Sequence, residues 1–394
     1  MDPIRNPYAP GAGSRPPALA GREEELQAFR ILLERLRRGR PEKSMIITGL
    51  RGVGKTVLLN TFGSIAEEAK FATAFTEITH ETEFRPLMAR LVRRALLSLS
   101  PLDRMKDHAR RAAAVFKAFT LKLPDGPEIS VDVEAALGRA DSGDLAEDLA
   151  DLLVALGQAA TQHDSGVVFL LDEIQFLQRS ELEALIASLH RTAQQALPVT
   201  LVGAGLPQIP ELTGAAKSYS ERLFNFPEIG SLPPAAAREA LVLPAEEEDV
   251  RYDEEAIDEM VRFTEGYPYF LQEYGKYVWN VAPGPTITLE DALNARQAVQ
   301  LQLDDNFFRV RAARCTNAEL DYLRAMAALG DGPYRSGDIA SEMGRPGPQN
   351  VAPTRSRLIE KGLIFSPSHG LSEFTVPHFA DFIHRNAPSR SQKL

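Results

Sequence analysis

The sequence has little cysteine, no long apolar run and no excess of basic residues. Its 394 residues include one cysteine, Cys315, so no disulfide can form within the chain and a reducing compartment is expected. No apolar stretch is long enough to cross a bilayer, and residues 1–17 lack the apolar segment of a signal peptide. The chain is therefore expected to act in the cytoplasm without a membrane partner.

Basic residues are outnumbered, with 44 Lys and Arg against 54 Asp and Glu and a net charge of −10. This balance argues against a protein coated in basic residues for nucleic acid, although it leaves room for a local basic surface. Seven histidines are scattered without the spacing of metal ligands. The length and the 44% hydrophobic content predict a globular protein with two or three domains.

A glycine-rich segment at 49–56 (GLRGVGKT) joins a predicted strand at 44–48 to the first turn of a helix. Glycines have no Cβ atom, so the backbone can wrap closely around a phosphate and turn its N–H groups inward. The positive end of the helix dipole points at the same place. This context predicts a P-loop, and the alternative is a glycine turn that merely joins strand to helix.

The P-loop interpretation assigns roles to the side chains of the segment. Lys55 neutralises charge between the β- and γ-phosphates of ATP, and the Thr56 hydroxyl is a ligand of Mg²⁺. Lys55 is therefore both a catalytic and a nucleotide-binding candidate. The predicted nucleotide contacts from this part of the chain are Gly49, Gly52, Val53, Gly54, Lys55, Thr56 and Val57.

Two carboxylates follow a second apolar strand at 167–171. An apolar run of this kind indicates a strand buried on both faces of a parallel sheet, whose carboxyl-terminal rim is where open α/β folds bind ligands. There Asp172 would hold the Mg²⁺ shell, and Glu173 would polarise the attacking water. An Asp-Glu pair alone is a weak signal because acidic residues often cap a following helix, but its combination with a P-loop predicts hydrolysis.

The pattern along the chain predicts an α/β protein with a P-loop NTPase parallel sheet sandwiched by helices, followed by an all-α lid and a winged helix-turn-helix domain. Residues 119–123 and 129–133 alternate around a turn at 124–127, which predicts a β-hairpin inserted in the core. Such an insert is either a contact surface or a stabilising flap. The predicted parts are an extended arm at 1–20, a P-loop core at 21–230 with the hairpin near 116–133, a helical lid at 231–303, a linker at 304–314 and a winged helix at 315–390.

The winged helix is predicted from three helical segments and a hairpin that pairs 362–365 with 373–376. From Thr316 onward there are nine Lys and Arg against eight Asp and Glu, so this part is not acidic, unlike the rest of the chain. Its third helix and edges offer Arg355, Arg357 and Lys361 to duplex DNA. The competing interpretation is a protein-interaction module.

With these motifs in place, the chain resembles the P-loop ATPases of the AAA+ and STAND group that join an AAA-type core to a helical lid and a winged helix, as origin-recognition proteins do. The resemblance implies that Gly21 and Arg22 lie near the adenine. It also implies that Arg222 is an arginine finger, which in a homo-oligomer reaches the γ-phosphate of a neighbouring subunit. An intrachain salt bridge is the alternative role for Arg222.

Two departures from the AAA+ pattern shape the functional prediction. The fourth strand ends in Gly203-Ala204-Gly205, which offers no polar sensor of the γ-phosphate. The lid carries Gly266-Tyr267-Pro268, similar to the Gly-x-Pro of STAND ATPases, in which the proline packs on the base; Pro268 is therefore a nucleotide-binding candidate. Both departures favour a slow, nucleotide-controlled switch over a fast motor, acting on DNA or on a protein partner. A metabolic kinase is a weaker third interpretation because no acceptor pocket is recognisable.

Overall fold

A parallel β-sheet lies at the centre of the amino-terminal half. The computed structural model describes residues 1–11, 18–99, 107–121, 123, 127 and 133–386. The five strands of this sheet are all parallel and are arranged in the order β2-β3-β4-β1-β5. Because neighbouring strands are parallel, the chain crosses over the sheet between them. They are β1 (Ser44–Thr48), β2 (Ala72–Glu77), β3 (Val167–Asp172), β4 (Val199–Gly205) and β5 (Phe224–Asn225).

Both faces of the sheet are covered because its central strands are apolar on both sides. On β3, Val168 and Leu170 pack into one core, and Phe169 and Leu171 pack into the other. This arrangement confirms the predicted sheet between layers of helices. The first core includes α1 (Glu23–Arg37) and α2 (Lys55–Glu68), and the second includes α3 (Phe84–Leu99), α4 (Asp107–Thr120), α5 (Leu145–Gln162) and α6 (Arg179–Gln194).

The carboxyl-terminal ends of β1 and β3 meet at one rim of the sheet, separated only by β4. In a parallel sheet every strand that runs the same way ends at the same rim, so the loops after β1 and β3 converge there. The chain then passes through α7 (Ile209–Ala216) and α8 (Ser220–Leu223) to the edge strand β5.

A helical region, the predicted lid, follows the sheet. Its four helices are joined by a small two-stranded parallel ladder of β6 (Arg251–Tyr252) and β7 (Thr286–Ile287). Thr288 begins the last helix with a reciprocal cap, since its hydroxyl accepts from the Asp291 N–H while the Asp291 carboxylate accepts from Thr288. The helices are α9 (Pro234–Glu246), α10 (Glu254–Thr264), α11 (Pro268–Val281) and α12 (Leu289–Gln302).

Helical structure continues beyond the lid through the residues predicted as a linker. A π-helical turn, Leu303–Phe308, leads into the short helix α13 (Arg309–Ala312). The carboxyl-terminal region then contains α14 (Asn317–Ala328), α15 (Ser336–Glu342), α16 (Ala352–Glu360) and α17 (Phe379–Asn386), and an antiparallel sheet in the order β8-β10-β9, formed by β8 (Tyr334–Arg335), β9 (Ile364–Phe365) and β10 (Leu371–Phe374). The pairing of β9 with β10 confirms the hairpin predicted there.

The hairpin predicted near 116–133 is wrong at its start, because 107–120 forms α4. Phe116 and Phe119, spaced as on one side of a helix, are both fully buried. Burial of this helical stripe outweighs the short alternating pattern that suggested a strand. The second strand of the prediction, at 129–133, lies outside the described residues except for Val133. Within the described residues, no helix combines the length and apolarity needed to span a membrane.

Residues 1–11 contain only one short 3-10 turn, yet they are docked on the lid. The Tyr8 side chain is buried, and its hydroxyl contacts the Leu241 carbonyl and the Tyr252 hydroxyl. The ring lies directly over Gly275 of α11, where a Cβ atom would be 2.5 Å from Tyr8 Cδ1. Gly275 therefore provides the space in which the arm is held.

We expect Gly275→Ala to lower the stability of the lid by about 1–3 kcal/mol, because the new methyl group overlaps the Tyr8 ring. The same substitution in a Tyr8→Ala background should cost much less, since the overlapping ring is gone. Thermal unfolding of the four proteins of this cycle measures the coupling. Gly284→Ala is the matched control, because a Cβ atom there meets nothing within 4 Å. Equal costs of Gly275→Ala in both backgrounds would contradict the docking of the arm.

Candidate active site

The glycine-rich loop has the backbone geometry of a phosphate cradle. Gly54, the residue before α2, has φ +95°, and Gly52 has φ +85°, which are conformations that favour glycine. Gly49 approaches the main chain so closely that a Cβ atom would lie 2.3 Å from the Ile229 carbonyl oxygen. The loop thus leads directly into the amino-terminal end of α2, with its free N–H groups and positive dipole end.

Lys55 is buried against the loop that it follows. Its Nζ donates to the carbonyl oxygens of Gly49 at 2.9 Å and Leu50 at 2.7 Å. Burial lowers the pKa of this amine to about 8, an effect that Asp172 and Glu173 partly oppose. The ammonium group is held by dipoles alone, without a direct ion pair to a described carboxylate.

The two residues predicted to hold Mg²⁺ lie in contact. The Thr56 hydroxyl donates to Asp172 Oδ2 at 2.6 Å. Burial raises the pKa of the Asp172 carboxyl, while the Thr56 bond opposes that change. One hydroxyl and one carboxylate are the hard oxygen donors that Mg²⁺ uses beside water and phosphate, so the donor set fits this ion.

Glu173 is fixed by a neighbour that the sequence interpretation missed. Its backbone has φ +54°, and its carboxylate accepts a hydrogen bond from Gln175 Nε2. The Oε1 atom of the same amide accepts from the Leu206 N–H at 3.3 Å, just past β4. A Cβ atom on Gly205 would lie 2.7 Å from that oxygen. A polar group thus reaches the end of β4 from outside the strand, where the strand itself offers none.

Gly21 and Arg22 lie where the core meets the lid. A Cβ atom on Gly21 would be 2.7 Å from Ala236 Cβ of α9. The buried Arg22 guanidinium donates to the carbonyl oxygens of Gly230 at 2.7 Å and Val53 at 3.3 Å, and burial lowers its pKa. Arg22 therefore connects the P-loop, through Val53, to the segment that leads into the lid, through Gly230.

These parts enclose a cavity of about 550 Å³. Its walls come from the arm, the core, the lid and the helix that leads to the carboxyl-terminal region. All predicted nucleotide contacts except Gly49 and Gly21 are among the lining residues. Side chains that the cavity brings together are Arg22, Val53, Lys55, Thr56, Val57, Glu77, Asp172, Glu173, Pro268, Tyr269, Gln272, Phe307 and Arg311.

Tyr267 of the lid closes directly on the P-loop. Its ring is packed so near Gly52 that a Cβ atom there would lie 3.0 Å from Tyr267 Cε1. Its hydroxyl is buried without a hydrogen-bond partner among the described residues, and burial raises its pKa. The next residue, Pro268, begins α11 and lines the cavity.

Two arginines at the cavity rim connect it to the carboxyl-terminal region. Arg311 of α13 stacks on Phe307 at 3.6 Å, and its pKa is lowered to about 10, chiefly by burial and further by Arg51. Arg51 of the P-loop lies against Gly362, where a Cβ atom would be 2.5 Å from Arg51 Nε. Their distance along the chain hid this proximity from sequence analysis.

The predicted arginine finger is placed apart from this cavity. Arg222 lies on the short helix α8, is exposed, and makes no ion pair with any described residue. It does not line the cavity of its own chain. Its role in trans stays a prediction, and the salt bridge that would have been the alternative is not formed within the described chain.

The three residues predicted to meet DNA have different environments. Arg355 donates to the hydroxyls of Ser372 at 2.9 Å and Ser366 at 2.7 Å, which fastens α16 to the hairpin. Lys361 pairs with the buried Glu319 at 2.7 Å. Arg357 alone among the three is exposed without such a contact in the described region. Contact with DNA through these residues stays a prediction.

Comparison with solved structures finds similar proteins at low sequence identity. A Walker-type ATPase of Pyrococcus abyssi shares 16% identity, with a TM-score of 0.56, over 93% of this chain and 96% of that chain. Orc1 of Aeropyrum pernix, solved in complex with DNA, shares 17% over 97% and 96%, with a TM-score of 0.45. A mutant RuvB of Thermotoga maritima shares 16% over 95% and 99%, with a TM-score of 0.47. No curated protein matches the chain in sequence.

Two protein families match parts of the chain. Residues 305–383 match a domain of unknown function, which spans α13 and most of the carboxyl-terminal region. Residues 18–202 match the AAA ATPase domain and include the glycine-rich loop and the Asp172-Glu173 pair. With the P-loop geometry and the parallel sheet, this match over slightly less than half of the chain confirms the ATPase predicted from the sequence.

Proposed function

We propose that the chain is an ATP-controlled switch, in which the nucleotide sets the position of the lid and of the carboxyl-terminal region relative to the core. One observation carries this proposal: a single cavity is lined by the core, by the lid and by α13. A nucleotide that fills this cavity contacts all three at once. Any difference between ATP and ADP in these contacts then biases the arrangement of the domains.

Binding of the triphosphate begins with Lys55. Its ammonium group donates hydrogen bonds to the carbonyl oxygens of Gly49 and Leu50. Phosphate oxygens offer a full negative charge instead, so Lys55 turns toward them while the first N–H groups of α2 donate from below. Thr56 and Asp172 would hold Mg²⁺, which supplies positive charge to the phosphate oxygens.

Glu173 is the group that accepts a proton from the attacking water. Its bond to Gln175 holds the carboxylate in place and links it to β4 through Leu206. The bond engages only Oε2, so Oε1 remains able to accept a hydrogen bond from the attacking water. Gln175 is thus a positioning residue. Its amide supplies the polar group at the end of β4 that the strand itself lacks as a sensor of the γ-phosphate.

The output lies in the carboxyl-terminal region, which we propose to be a winged helix. Its helices α14, α15 and α16 and its antiparallel sheet β8-β10-β9 support that assignment. Duplex DNA is the first candidate partner. A STAND-like signalling ATPase that binds protein is the second, and it is favoured by the engagement of Arg355 and Lys361 within their own domain.

Two substitutions distinguish the role of Lys55 in nucleotide binding from the role of Glu173 in hydrolysis. Lys55→Ala should abolish nucleotide binding, because it removes the cation that faces the phosphates. Glu173→Gln should keep binding within a few-fold but lower ATP turnover by at least about 100-fold, since the amide cannot accept the proton. Fluorescent-nucleotide titration and phosphate release measure the two effects. Glu183→Gln, at a surface ion pair with Arg179, is the control. Undiminished turnover in Glu173→Gln would remove Glu173 from the mechanism.

Nucleotide affinity should fall as the pH rises through about 8, the pKa that burial gives Lys55. Below that pH the amine is charged and binds phosphate; above it the amine must first take up a proton. Calorimetry in buffers of different ionisation enthalpy should therefore show proton uptake near pH 8.5 that vanishes at pH 6. Lys55→Arg stays charged and should show no such uptake. Binding without proton uptake at pH 8.5 would contradict this state of Lys55.

Action of Arg222 across a homo-oligomer is tested by mixing two inactive variants. Arg222→Ala lacks the finger and Glu173→Gln lacks the base, so a site with Glu173 from one subunit and Arg222 from the next is complete. The mixture should regain about a quarter of wild-type ATP turnover. Arg30→Ala, another exposed arginine of the core, should be active alone. A mixture as inactive as its components would place Arg222 outside the neighbouring site.

A further inference from the structure

Positive charge is concentrated on one helix pair of the core. Residues 84–120, which span α3 and α4, contain nine Lys and Arg but two Asp and Glu, whereas the whole chain contains 44 and 54. The carboxyl-terminal region, where DNA contact was expected, holds nine against eight over about twice that length. This helix pair of the core is therefore more basic than the carboxyl-terminal region in which DNA contact was expected.

Four arginines of this pair are exposed and without partners in the part of the chain that the structure describes. They are Arg90, Arg94, Arg110 and Arg111. Arg85 of the same helix is different, because it forms an ion pair with the buried Asp148 at 2.7 Å. The four exposed arginines form no such ion pair with a described residue, and none of them lines the nucleotide cavity. We call them the arginine surface.

The two helices present these arginines away from their common core. Arg90 and Arg94 are one turn apart on α3, whose opposite side buries Met88 and Val92. Arg110 and Arg111 are the fourth and fifth residues of α4, which packs against α3 and α5. Only seven residues connect the end of α3 to the start of α4, so the two pairs of arginines belong to one region.

We propose that the arginine surface binds the phosphate backbone of duplex DNA. Guanidinium groups match phosphate oxygens in geometry and charge, and all four free cations here are arginines. Single-stranded nucleic acid is held largely by stacking on exposed aromatic rings. The aromatic residues of α3 and α4 are Phe84, Phe116 and Phe119, and all three are buried in the core. A surface with cations but no stacking platform suits the backbone of a duplex.

The proposal concerns binding and does not depend on ATP hydrolysis. Anisotropy of a labelled 30-base-pair duplex is measured across a salt series for the wild type and for the variant with Arg90, Arg94, Arg110 and Arg111 each changed to Gln. Gln keeps the helix propensity and removes the charge. We expect at least a tenfold loss of affinity at low salt. The salt slope should fall by about 2–4, since each lost phosphate contact removes about 0.9.

Three further variants and two measurements separate the possible results. The control is Arg30→Gln with Arg40→Gln, which removes two exposed arginines elsewhere on the core and should bind as the wild type does. Arg357→Gln tests the carboxyl-terminal region in the same assay. Unchanged ATP turnover and thermal unfolding show that the fourfold variant is folded. Lys55→Ala should lose ATP turnover yet keep basal DNA binding, so the two proposals fail separately.

Several outcomes would overturn the proposal. A wild-type protein that does not bind the duplex, a fourfold variant that binds like the control, or a loss confined to Arg357→Gln would each do so. Tighter binding of single-stranded DNA than of the duplex would reject the backbone of a duplex as the ligand. Salt-sensitive self-association without DNA binding, lost in the fourfold variant, would instead make the arginine surface a contact with a second, acidic copy of the chain.

Discussion

The architecture depends on cations that are buried around one cavity without carboxylates in direct contact. Lys55 is held by two carbonyl oxygens, and Arg311 is held by an aromatic ring and a carbonyl. Burial lowers the pKa of both, because a charged group loses hydration that neutral partners only partly replace. A polyanion in the cavity provides the missing counter-charge. We propose that nucleotide binding and domain position are coupled through this electrostatic balance.

Steric contacts make this coupling specific. Three glycines make close contacts with residues of another part of the chain, because they have no Cβ atom. The contacts are Gly52 with Tyr267 of the lid, Gly21 with Ala236 of α9, and Gly362 with Arg51 of the P-loop. At each place two parts of the chain approach within a distance that a methyl group would prevent. Because packed interfaces shift between discrete arrangements and do not deform smoothly, a change in the P-loop can be transmitted to the lid and the carboxyl-terminal region.

Local patterns were sufficient to predict the parallel sheet, the P-loop and the carboxylates at Asp172 and Glu173, because each is encoded within about ten consecutive residues. Gln175 was visible two positions after Glu173, but its bond to Leu206 arises only from the neighbouring strand. Arg311 reaches the cavity through the folding of a segment read as a linker. The start of the hairpin predicted near 116–133 shows the converse, because burial of Phe116 and Phe119 on a helix outweighed the alternating pattern there.

The central claim is that the nucleotide moves the carboxyl-terminal region relative to the core. Electron spin resonance between labels at Glu24→Cys on α1 and Glu342→Cys on α15, in a Cys315→Ser background, measures that distance directly; both label positions are exposed. The account predicts different distance distributions with ADP and with a non-hydrolysable ATP analogue, and a single distribution in the Lys55→Ala variant. Identical distributions in the free, ADP-bound and analogue-bound protein would contradict it.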